Sequence, residues 1–344
     1  MAARGKLIVR LGAVVIALAL ALLCGCGGGD GVDHGTLSDN VASDIPEEGY
    51  VTMQLFDDIG YERGFTVMGQ DTVKKGNVLL GGSDIPDEGQ DPAWMIAQWN
   101  SGPCLYRDRV ESAPNVLTDG SIKTVTLDPE TRAVALRLNT IPYYNGAPGK
   151  TENWPHLLLE QSPLVIDGEE ALKFYSCSAD KLIVSLDIRM NSYRFVDIDG
   201  VNAAQFLSYY YIKSKTGDDF VWFGVPLFDN RGETGLYWAL DTAGSNRMIY
   251  SIPSTETYKN SVHSFLKAPN DPRTGQEWVH VEVDLKPHLE ALLALGLQEG
   301  IFKYAKTLDD LYISGVNIGW ETIGSFDIEM EIKNFSLLSY ICVN

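Results

Sequence analysis

The chain has 344 residues, of which 45% are hydrophobic, and its 27 basic against 46 acidic residues give a formal net charge of −19. This length and apolar content suffice for a sizeable core in one large domain or two small ones. The acidic balance argues against a nucleic-acid partner, because binding phosphates requires clustered cations.

The first 25 residues have the pattern of an export signal. Three basic side chains, Arg4, Lys6 and Arg10, precede the apolar stretch Leu11–Leu23, which is short for a membrane span. The sequence Leu23-Cys24-Gly25-Cys26 then resembles a bacterial lipobox, with Leu at −3, Gly at −1 and the modified Cys at +1. This resemblance implies that Cys26 carries acyl chains and holds the protein, as an exported lipoprotein, at the extracytoplasmic side of the bacterial cell membrane. A plain secretory signal or an anchor helix remains the alternative.

Residues 26–48 have the composition of a flexible linker. They are rich in Gly, Ser and Asp and contain few large apolar side chains, so they are not expected to form a core. We therefore predict a signal peptide over 1–25, a linker over 26–48 and a single large domain over 49–344. A split into two domains near Gln161–Ser162 is the alternative.

After residue 49 the chain consists mainly of short apolar and aromatic runs separated by Gly, Asp and Asn. This pattern is typical of consecutive antiparallel strands. Lys181–Met190 and Trp278–Leu285 alternate with period two, as half-buried strands do. Phe220–Phe228 is apolar on both faces, which predicts a position in the middle of a sheet.

Two local signals stand out beside the strands. Asp167-Gly168 between Leu164–Ile166 and Ala171–Ser176 predicts a β-hairpin. Pro287–Leu297 has leucines at helical spacing, a proline suited to the first turn, and Gly300 as a stop. It is the one helix that the sequence predicts with a clear pattern.

These features predict an all-β fold, an antiparallel β-sandwich of about a dozen strands with one short helix near the C-terminus. The rhythm of strands and aromatic loops resembles jelly-roll or concanavalin A-like sandwiches, which are common among carbohydrate-active proteins. The resemblance implies a polysaccharide or oligosaccharide partner.

Aromatic side chains in loops or on polar strand faces are the first candidates for binding. Sugars stack their C–H faces on such rings, and neighbouring polar groups fix the hydroxyls. The candidate ligand-binding residues are Trp94, Trp99, Tyr143, Tyr144, Trp154, Trp278 and His280. Burial in an ordinary sandwich core is the alternative for each ring, and we assign Trp222, Trp238 and Tyr209–Tyr211 largely to the core.

Carboxylates are the candidates for catalysis, since glycosidases use two of them. Asp327, Glu329 and Glu331 share one face of a strand, in a stretch faintly similar to the Glu-x-Asp-x-Glu strand of β-jelly-roll glucanases but with a different order. Charges that protect the wet face of an edge strand are the alternative. The other candidates are Glu282 and Asp284, in a row with His280, together with Glu321 after Gly319-Trp320; Asp187 could share their face.

No strong cofactor motif is present in the sequence. Asp197 and Asp199 before Gly200 are weakly suggestive of a structural Ca²⁺ loop, although an Asx turn explains them equally well. Cys104, Cys177 and Cys342 allow a disulfide in an exported protein but do not specify a pairing.

The sequence therefore predicts a surface-tethered lipoprotein whose sandwich binds a glycan without catalysis. A glycoside hydrolase or polysaccharide lyase on the same fold is the first alternative. A structural or adhesion lipoprotein without a small ligand is the second.

Overall fold

The computed structural model describes residues 49–71, 73–80, 91–99, 105, 114–149, 154–162, 164, 166, 168–241, 245–261 and 277–343. Its sixteen strands in those residues are β1 Tyr50–Gln54, β2 Phe65–Met68, β3 Lys74–Val78, β4 Trp94–Ala97, β5 Val116–Thr118, β6 Lys123–Leu127, β7 Val134–Asn139, β8 His156–Gln161, β9 Lys181–Val196, β10 Ala203–Ser214, β11 Phe220–Asp229, β12 Tyr237–Leu240, β13 Met248–Ser251, β14 Val279–Asp284, β15 Leu311–Ile323 and β16 Ser325–Cys342. Helices in the same residues are α1 Ile141–Tyr144, α2 Gly168–Tyr175, α3 Ser254–Thr257 and α4 Lys286–Gln298, with a 3₁₀ turn at Leu308–Asp310.

The strands form two sheets. A seven-stranded sheet has the order β14-β9-β16-β7-β6-β5, with β1 added alongside β16. A nine-stranded sheet has the order β12-β13-β11-β10-β15-β8-β4-β2-β3. All neighbouring pairs are antiparallel except β11 with β13 and β2 with β4. The predicted all-β antiparallel sandwich is confirmed.

The main hydrophobic core lies between the two sheets. It joins Val184 and Ile328 of the seven-stranded sheet to Phe206 and Ile318 of the nine-stranded sheet in one buried cluster. The indole of Trp320 spans this layer, donating a hydrogen bond from Nε1 to the carbonyl oxygen of Leu136 at 2.9 Å. Each sheet therefore has an inner face toward this core and an outer face away from it.

The alternation expected for two strands is confirmed. Val279, Val281 and Val283 of β14 are buried, as are Leu182, Val184 and Leu186 of β9. Every residue of β11 is buried, and β11 lies between β13 and β10. The expectation that Phe220–Phe228 is covered on both faces is therefore also correct.

The helix near the C-terminus is confirmed, and its stop signal is correct. Leu289 and Leu292 of α4 are buried, and Gly300 follows it with φ +69°, a conformation that glycine adopts without a steric penalty. Among the described residues, no helix has the length and apolar character needed to cross a membrane.

The hairpin predicted around Asp167-Gly168 is wrong. Residues Gly168–Tyr175 instead form α2, with Tyr175 buried in the core and the Tyr175 hydroxyl donating to the Leu55 carbonyl oxygen at 3.3 Å. In so short a segment, apolar residues at helical spacing outweigh the turn signal once one face can pack on a sheet.

Candidate functional site

The outer face of the nine-stranded sheet carries a second cluster of aromatic and apolar side chains, separate from the main core. On β10 and β11 the side chains alternate, so Tyr210 and Phe223 point into the core while Tyr209, Tyr211 and Trp222 point outward. We call Tyr209, Tyr211, Phe220 and Trp222 the ring cluster; Leu207 and Ile249 complete it. Tyr211 and Trp222 meet edge to face, with ring centroids 4.6 Å apart.

Polar side chains continue this face on the neighbouring strands β15 and β8. Asn317 is in register with Tyr209 on one side and with Glu160 on the other. Four residues further along β15, Glu321 is in register with Gln205 and with His156. Directly opposed residues on neighbouring strands have side chains on the same face, so these polar groups share a surface with the ring cluster.

Glu160 and Asn317 are the most unusual of these residues, because they are buried polar groups with spare hydrogen-bonding capacity. Their relative exposures are 8% and 2%. Among the described residues, Glu160 Oε2 and Asn317 Oδ1 have no hydrogen-bond partner. A buried polar atom without a partner costs free energy of about 1–3 kcal/mol, so such an atom in a native protein calls for a ligand or a water.

Tyr211 holds the Glu160–Asn317 pair in place. The Asn317 Nδ2 donates to the Tyr211 hydroxyl at 2.9 Å, and the Tyr211 hydroxyl hydrogen-bonds Glu160. Burial raises the pKa of Glu160 to about 7, and hydrogen bonds from Tyr211 and Trp99 offset only part of this effect. Burial therefore favours the protonated form of this carboxyl group.

A row of four polar residues crosses the same face further along the strands. His156, Glu321, Gln205 and Asp229 are in register across β8, β15, β10 and β11. The Gln205 Nε2 donates to Asp229 Oδ2 at 3.0 Å, and Arg231 donates to both carboxylate oxygens of Asp229 at 2.9 and 2.6 Å. We call these four residues the polar row.

All four residues of the polar row are buried, and His156 and Glu321 form its end on β8 and β15. The His156 Nδ1 lies 2.8 Å from the Trp99 carbonyl oxygen. A carbonyl oxygen can only accept, so Nδ1 carries a hydrogen. The His156 Nε2 lies 3.6 Å from Glu321 Oε1, and both side chains are buried. Glu321 therefore sits beside a histidine and an amide, with no second carboxylate directly opposite it.

A cavity of about 390 Å³ lies at the β8, β4 and β2 side of this face, beside Gln161 and Ser162. Met95, which is in register with Glu160, lines it together with Ser162, Thr66 and the charged side chains of Arg63 and Lys74. Arg63 is paired with Asp57 and Asp58, and Lys74 with Asp91 at 3.5 Å. The outer face therefore runs from the ring cluster, across Glu160 and Asn317, to a polar cavity.

The predicted ligand-binding residues do not meet at one place. Trp94, Tyr144 and Trp154 are buried. Trp94 packs on Phe56 and Tyr61 in the main core, and its Nε1 donates to the carbonyl oxygens of Asp57 and Asp58. Trp154 and Tyr144 form a small cluster with Tyr143 beside them. Trp94 therefore lies in the main core, whereas Trp154 and Tyr144 are buried against Ala203 and Ile323, outward-facing positions of β10 and β15. Trp99 lies beside Glu160 on the same outer face.

Trp278 and His280 lie instead on the outer face of the seven-stranded sheet. Arg189 and Lys333 lie over the Trp278 ring, at 4.6 and 4.2 Å from its centroid. His280 is exposed and bonds Asp187 through Nδ1 at 2.8 Å. This surface is crossed by ion pairs between neighbouring strands.

The predicted catalytic acids are divided between opposite sides of the molecule. Asp327 is held by both Arg137 Nε and Nη2, at 2.9 and 3.0 Å, and Glu329 accepts from Asn191 at 2.9 Å. Asp284 accepts from the backbone of Lys286 at the start of α4, and Glu282 is exposed. All four are on the seven-stranded sheet, whereas Glu321 alone is on the outer face of the nine-stranded sheet.

The remaining predicted sites are only partly described. Asp197 and Asp199 are exposed, and the Asn202 Nδ2 donates to Asp197 Oδ1 at 3.2 Å and to the Ile198 carbonyl oxygen at 2.7 Å. Within the described residues, no three His, Cys, Asp or Glu side chains come together as a metal site would require. Cys26 and Cys104 lie outside the described residues, and burial raises the pKa of Cys177 to about 12.

The chain has the fold of a two-sheet β-sandwich protein. Comparison with solved structures finds similar folds at low sequence identity. The endoglucanase Cel12A from Rhodothermus marinus shares 9% identity over 66% of this chain and 92% of its own, with a TM-score of 0.35. The xyloglucanase domain of NopAA from Sinorhizobium fredii, in complex with cellobiose, shares 11% identity over 71% of this chain and 96% of its own, with a TM-score of 0.35. A family 11 xylanase from Neocallimastix patriciarum shares 9% identity over 66% of this chain and 90% of its own, with a TM-score of 0.33.

No protein-family model matches the chain, and no curated protein matches it in sequence. The likeness to the solved structures concerns the sandwich fold.

Proposed function

We propose that this protein is a carbohydrate-active sandwich that binds a polysaccharide on the outer face of its nine-stranded sheet. One observation carries the proposal. Two buried oxygens without partners in the described residues, Glu160 Oε2 and Asn317 Oδ1, lie beside the ring cluster on a single sheet face. The rings of this cluster are buried, with exposures of 3–7%. Aromatic rings beside fixed hydrogen-bonding groups are typical of sugar-binding sites.

Binding without hydrolysis is the form of this function that the geometry favours. A retaining glycosidase holds two carboxyl groups about 5–5.5 Å apart. The direct neighbours of Glu321 on its face are Gln205 and His156, so an amide lies where a retaining enzyme would hold its second carboxylate. Asp229 is one strand further away and is occupied by Arg231.

We also propose that the protein is exported and acts on the extracytoplasmic side of the membrane. The lipobox-like sequence ending at Cys26 and the Gly-rich stretch after it would tether the sandwich to the membrane and leave it free to meet a polymer. A surface-tethered glycan-binding lipoprotein is thus the function that we propose.

Substitution of one tryptophan in the ring cluster tests the binding face. Trp222→Ala should lower affinity for a soluble polysaccharide about five- to thirtyfold, because the loss of one aromatic ring from the binding face costs on the order of 1–2 kcal/mol. Affinity electrophoresis and calorimetry against a panel of β-glucan, xyloglucan, xylan and chitosan would measure it.

Trp238→Ala is a surface control for that experiment, since Trp222 is buried and Trp238 is not. Trp238 is exposed and lies on the adjacent edge strand β12, outside the ring cluster. Equal losses in both variants would argue for a general surface effect, and the absence of binding by the unaltered protein to every polymer would end the proposal.

Hydrolysis is the second candidate, and it has one observation in its favour. The pKa of Glu160, raised to about 7 by burial, is in the range of a general acid at neutral pH. Release of reducing ends from β-glucan or xyloglucan that disappears in both Glu160→Gln and Glu321→Gln would establish it; no release at high protein concentration would leave the binding function.

A further inference from the structure

The nine-stranded sheet ends at β12, a strand whose inner face is left exposed. Trp238 of β12 is in register with Tyr250 of β13, and Leu240 with Met248; both of these partners are buried in the main core. Directly opposed residues share a face, yet Trp238 and Leu240 are 39% and 43% exposed, and Leu236, two residues before Trp238, is 53% exposed. We call Leu236, Trp238 and Leu240 the edge stripe.

The backbone of β12 also has hydrogen-bonding groups that point away from β13. The Asp241 N–H donates to the Arg247 carbonyl oxygen at 2.8 Å, in the same register that pairs β12 with β13. Because bonding alternates along an antiparallel pair, the N–H and C=O groups of Trp238 and Leu240 point to the other side of the strand. In the part of the chain that the structure describes, no strand pairs with β12 on that side.

The sequence of β12 lacks the features that usually protect an edge strand. Residues 234–240 include no charged side chain and no proline. At the other end of the same sheet, β3 begins with Lys74 and Lys75, and its pairing with β2 is interrupted by a shift of register. Such charges and bulges prevent an edge from pairing with another chain. The β12 edge is therefore suited to the pairing that the β3 edge prevents.

Two copies of β12 are complementary when they run antiparallel about a twofold axis. If Trp238 lies opposite the same residue of the second copy, Leu236 lies opposite Leu240, and the two edge stripes meet on one face. In this register the backbone groups of Trp238 and Leu240 that point away from β13 form hydrogen-bonded pairs. Asp241 lies opposite Gly235, so this acid does not meet another acid, although each chain has a net charge of −19.

We propose that β12 pairs with β12 of a second copy of this chain, so that two nine-stranded sheets join into one continuous sheet across the edge stripe. The inference goes beyond the proposed glycan binding and does not depend on it. One short strand and three side chains bury less than the roughly 1,200 Å² of a standard interface. The dimer is therefore weak, and it forms where copies are concentrated, as they are when chains are confined to one membrane.

Cross-linking of the full chain in phosphatidylcholine vesicles tests the proposal without detergent, which would cover apolar side chains. Ala239→Cys introduces a thiol in β12 and leaves the edge stripe intact, and Cys342→Ser removes an exposed native thiol from every variant. In the proposed register the two introduced thiols lie about 8 Å apart, within reach of a short bismaleimide. We expect a covalent dimer on a denaturing gel at a yield at least about tenfold above that of Leu297→Cys, a thiol at an exposed position of α4.

Two substitutions of Leu240 locate the contact. Leu240→Lys adds a charge to the edge stripe, and Leu240→Pro removes a backbone N–H that points away from β13. Either change should lower the dimer yield of Ala239→Cys at least about tenfold. Both chains should still fold, because Leu240 is exposed, and thermal unfolding checks this. Leu297→Lys, which changes a side chain of similar exposure on α4, is the control and should leave the yield as it is.

The outcomes decide between a second copy and another occupant of the edge stripe. A dimer yield for Ala239→Cys no higher than for Leu297→Cys, or a dimer that persists with both Leu240→Lys and Leu240→Pro, would overturn the proposal. Phosphatidylcholine with brominated acyl chains detects a membrane contact. If it quenches tryptophan fluorescence less in Trp238→Phe than in the unaltered protein and no dimer forms, the edge stripe contacts lipid and the proposal is wrong.

Discussion

At the scale of the residue, Glu160 is an acid placed where its charge is not compensated. It follows three leucines on β8, and its neighbours on the outer face supply hydrogen bonds but no cation. Burial therefore favours its protonated form, and the pKa rises to about 7. The carboxyl group is thereby available to change its charge when a ligand arrives.

This shift of the Glu160 pKa predicts a specific dependence of stability on pH. The folded protein binds more protons than the unfolded chain between pH 4.5, the ordinary pKa of a glutamate, and about pH 7. The free energy of unfolding should therefore fall as pH rises through this range, by up to roughly 3 kcal/mol from this one group. Glu160→Gln should remove that part of the slope, and its stability relative to the unaltered protein should be greatest above neutral pH.

Urea unfolding at pH 5 and pH 8 measures this prediction. Glu282→Gln, which replaces an exposed acid, is the control and should leave the slope as it is. A pH dependence of Glu160→Gln that parallels that of the unaltered protein would show that Glu160 titrates normally in the fold.

Glu160, Asn317 and the ring cluster could not be identified from the sequence, because the sequence does not show which strands are neighbours in the sheet. Phe206–Ile212 and Phe220–Phe228 carry aromatic side chains on both faces, so alternation alone does not distinguish the core from the outer face. Asn317 and Glu160 become neighbours only through the β15–β8 register, which joins residues 157 positions apart. Glu321 can be found from sequence because it stands beside an apolar run as an isolated acid.

At the scale of the element, β15 shapes the site through one glycine between its two polar positions. Gly319 lies between Asn317 and Glu321 with φ +153°, and a Cβ there would lie 2.3 Å from the carbonyl oxygen of Leu157. The side-chain-free position allows β8 to approach β15 closely. The distance between the two polar positions, about 13 Å along the strand, therefore depends on this contact.

Gly319→Ala should destabilise the fold by several kcal/mol, on the order of 2–4, since backbone atoms cannot move away as a flexible side chain can. It should also weaken glycan binding by displacing Glu160 relative to Asn317. Thermal unfolding together with calorimetry would measure both effects. Gly235→Ala, where an added Cβ meets nothing within 4 Å, is the matched control, and similar behaviour of the two variants would contradict this role of Gly319.

The elements predicted best are those whose pattern is set by burial on one side. β9, β14 and α4 have regular periodicity because one face meets the core and the other meets solvent. The sequence predicts a hairpin where the short helix α2 lies. Eight residues are too few to show a clear helical period, so the Asp-Gly turn signal decides the prediction. The periodicity of apolar residues predicts an element correctly when one face of that element meets the core and the other meets solvent.

At the scale of the whole molecule, the proposed lipid anchor and the proposed glycan-binding face would serve a single purpose. In the proposed arrangement, a tether of about twenty residues of flexible composition would place the sandwich about 2–3 nm from a membrane surface. The lipid and the glycan face would then act together, since a polymer bound at the sheet is kept near the cell.

The cysteine of the lipobox-like sequence allows a direct test of this arrangement. Cys26→Ser should release the protein from the membrane fraction and abolish labelling with palmitate, because the acyl chains have no other attachment point in this proposal. Cell fractionation and metabolic labelling measure the two effects. Cys24→Ser should retain both membrane association and label, and membrane retention of Cys26→Ser would favour an anchor helix.

The last two strands are central to both sheets. β16 pairs along one side with β9 and along the other with β7 and β1, and β15 lies between β10 and β8 in the nine-stranded sheet. A chain emerging from a ribosome or a translocation pore lacks the middle of both sheets until residues 311–342 have appeared. Until then each sheet exists only as separate parts, such as β14 with β9 and β7 with β6 and β5, and these parts have open strand edges that invite association with other chains.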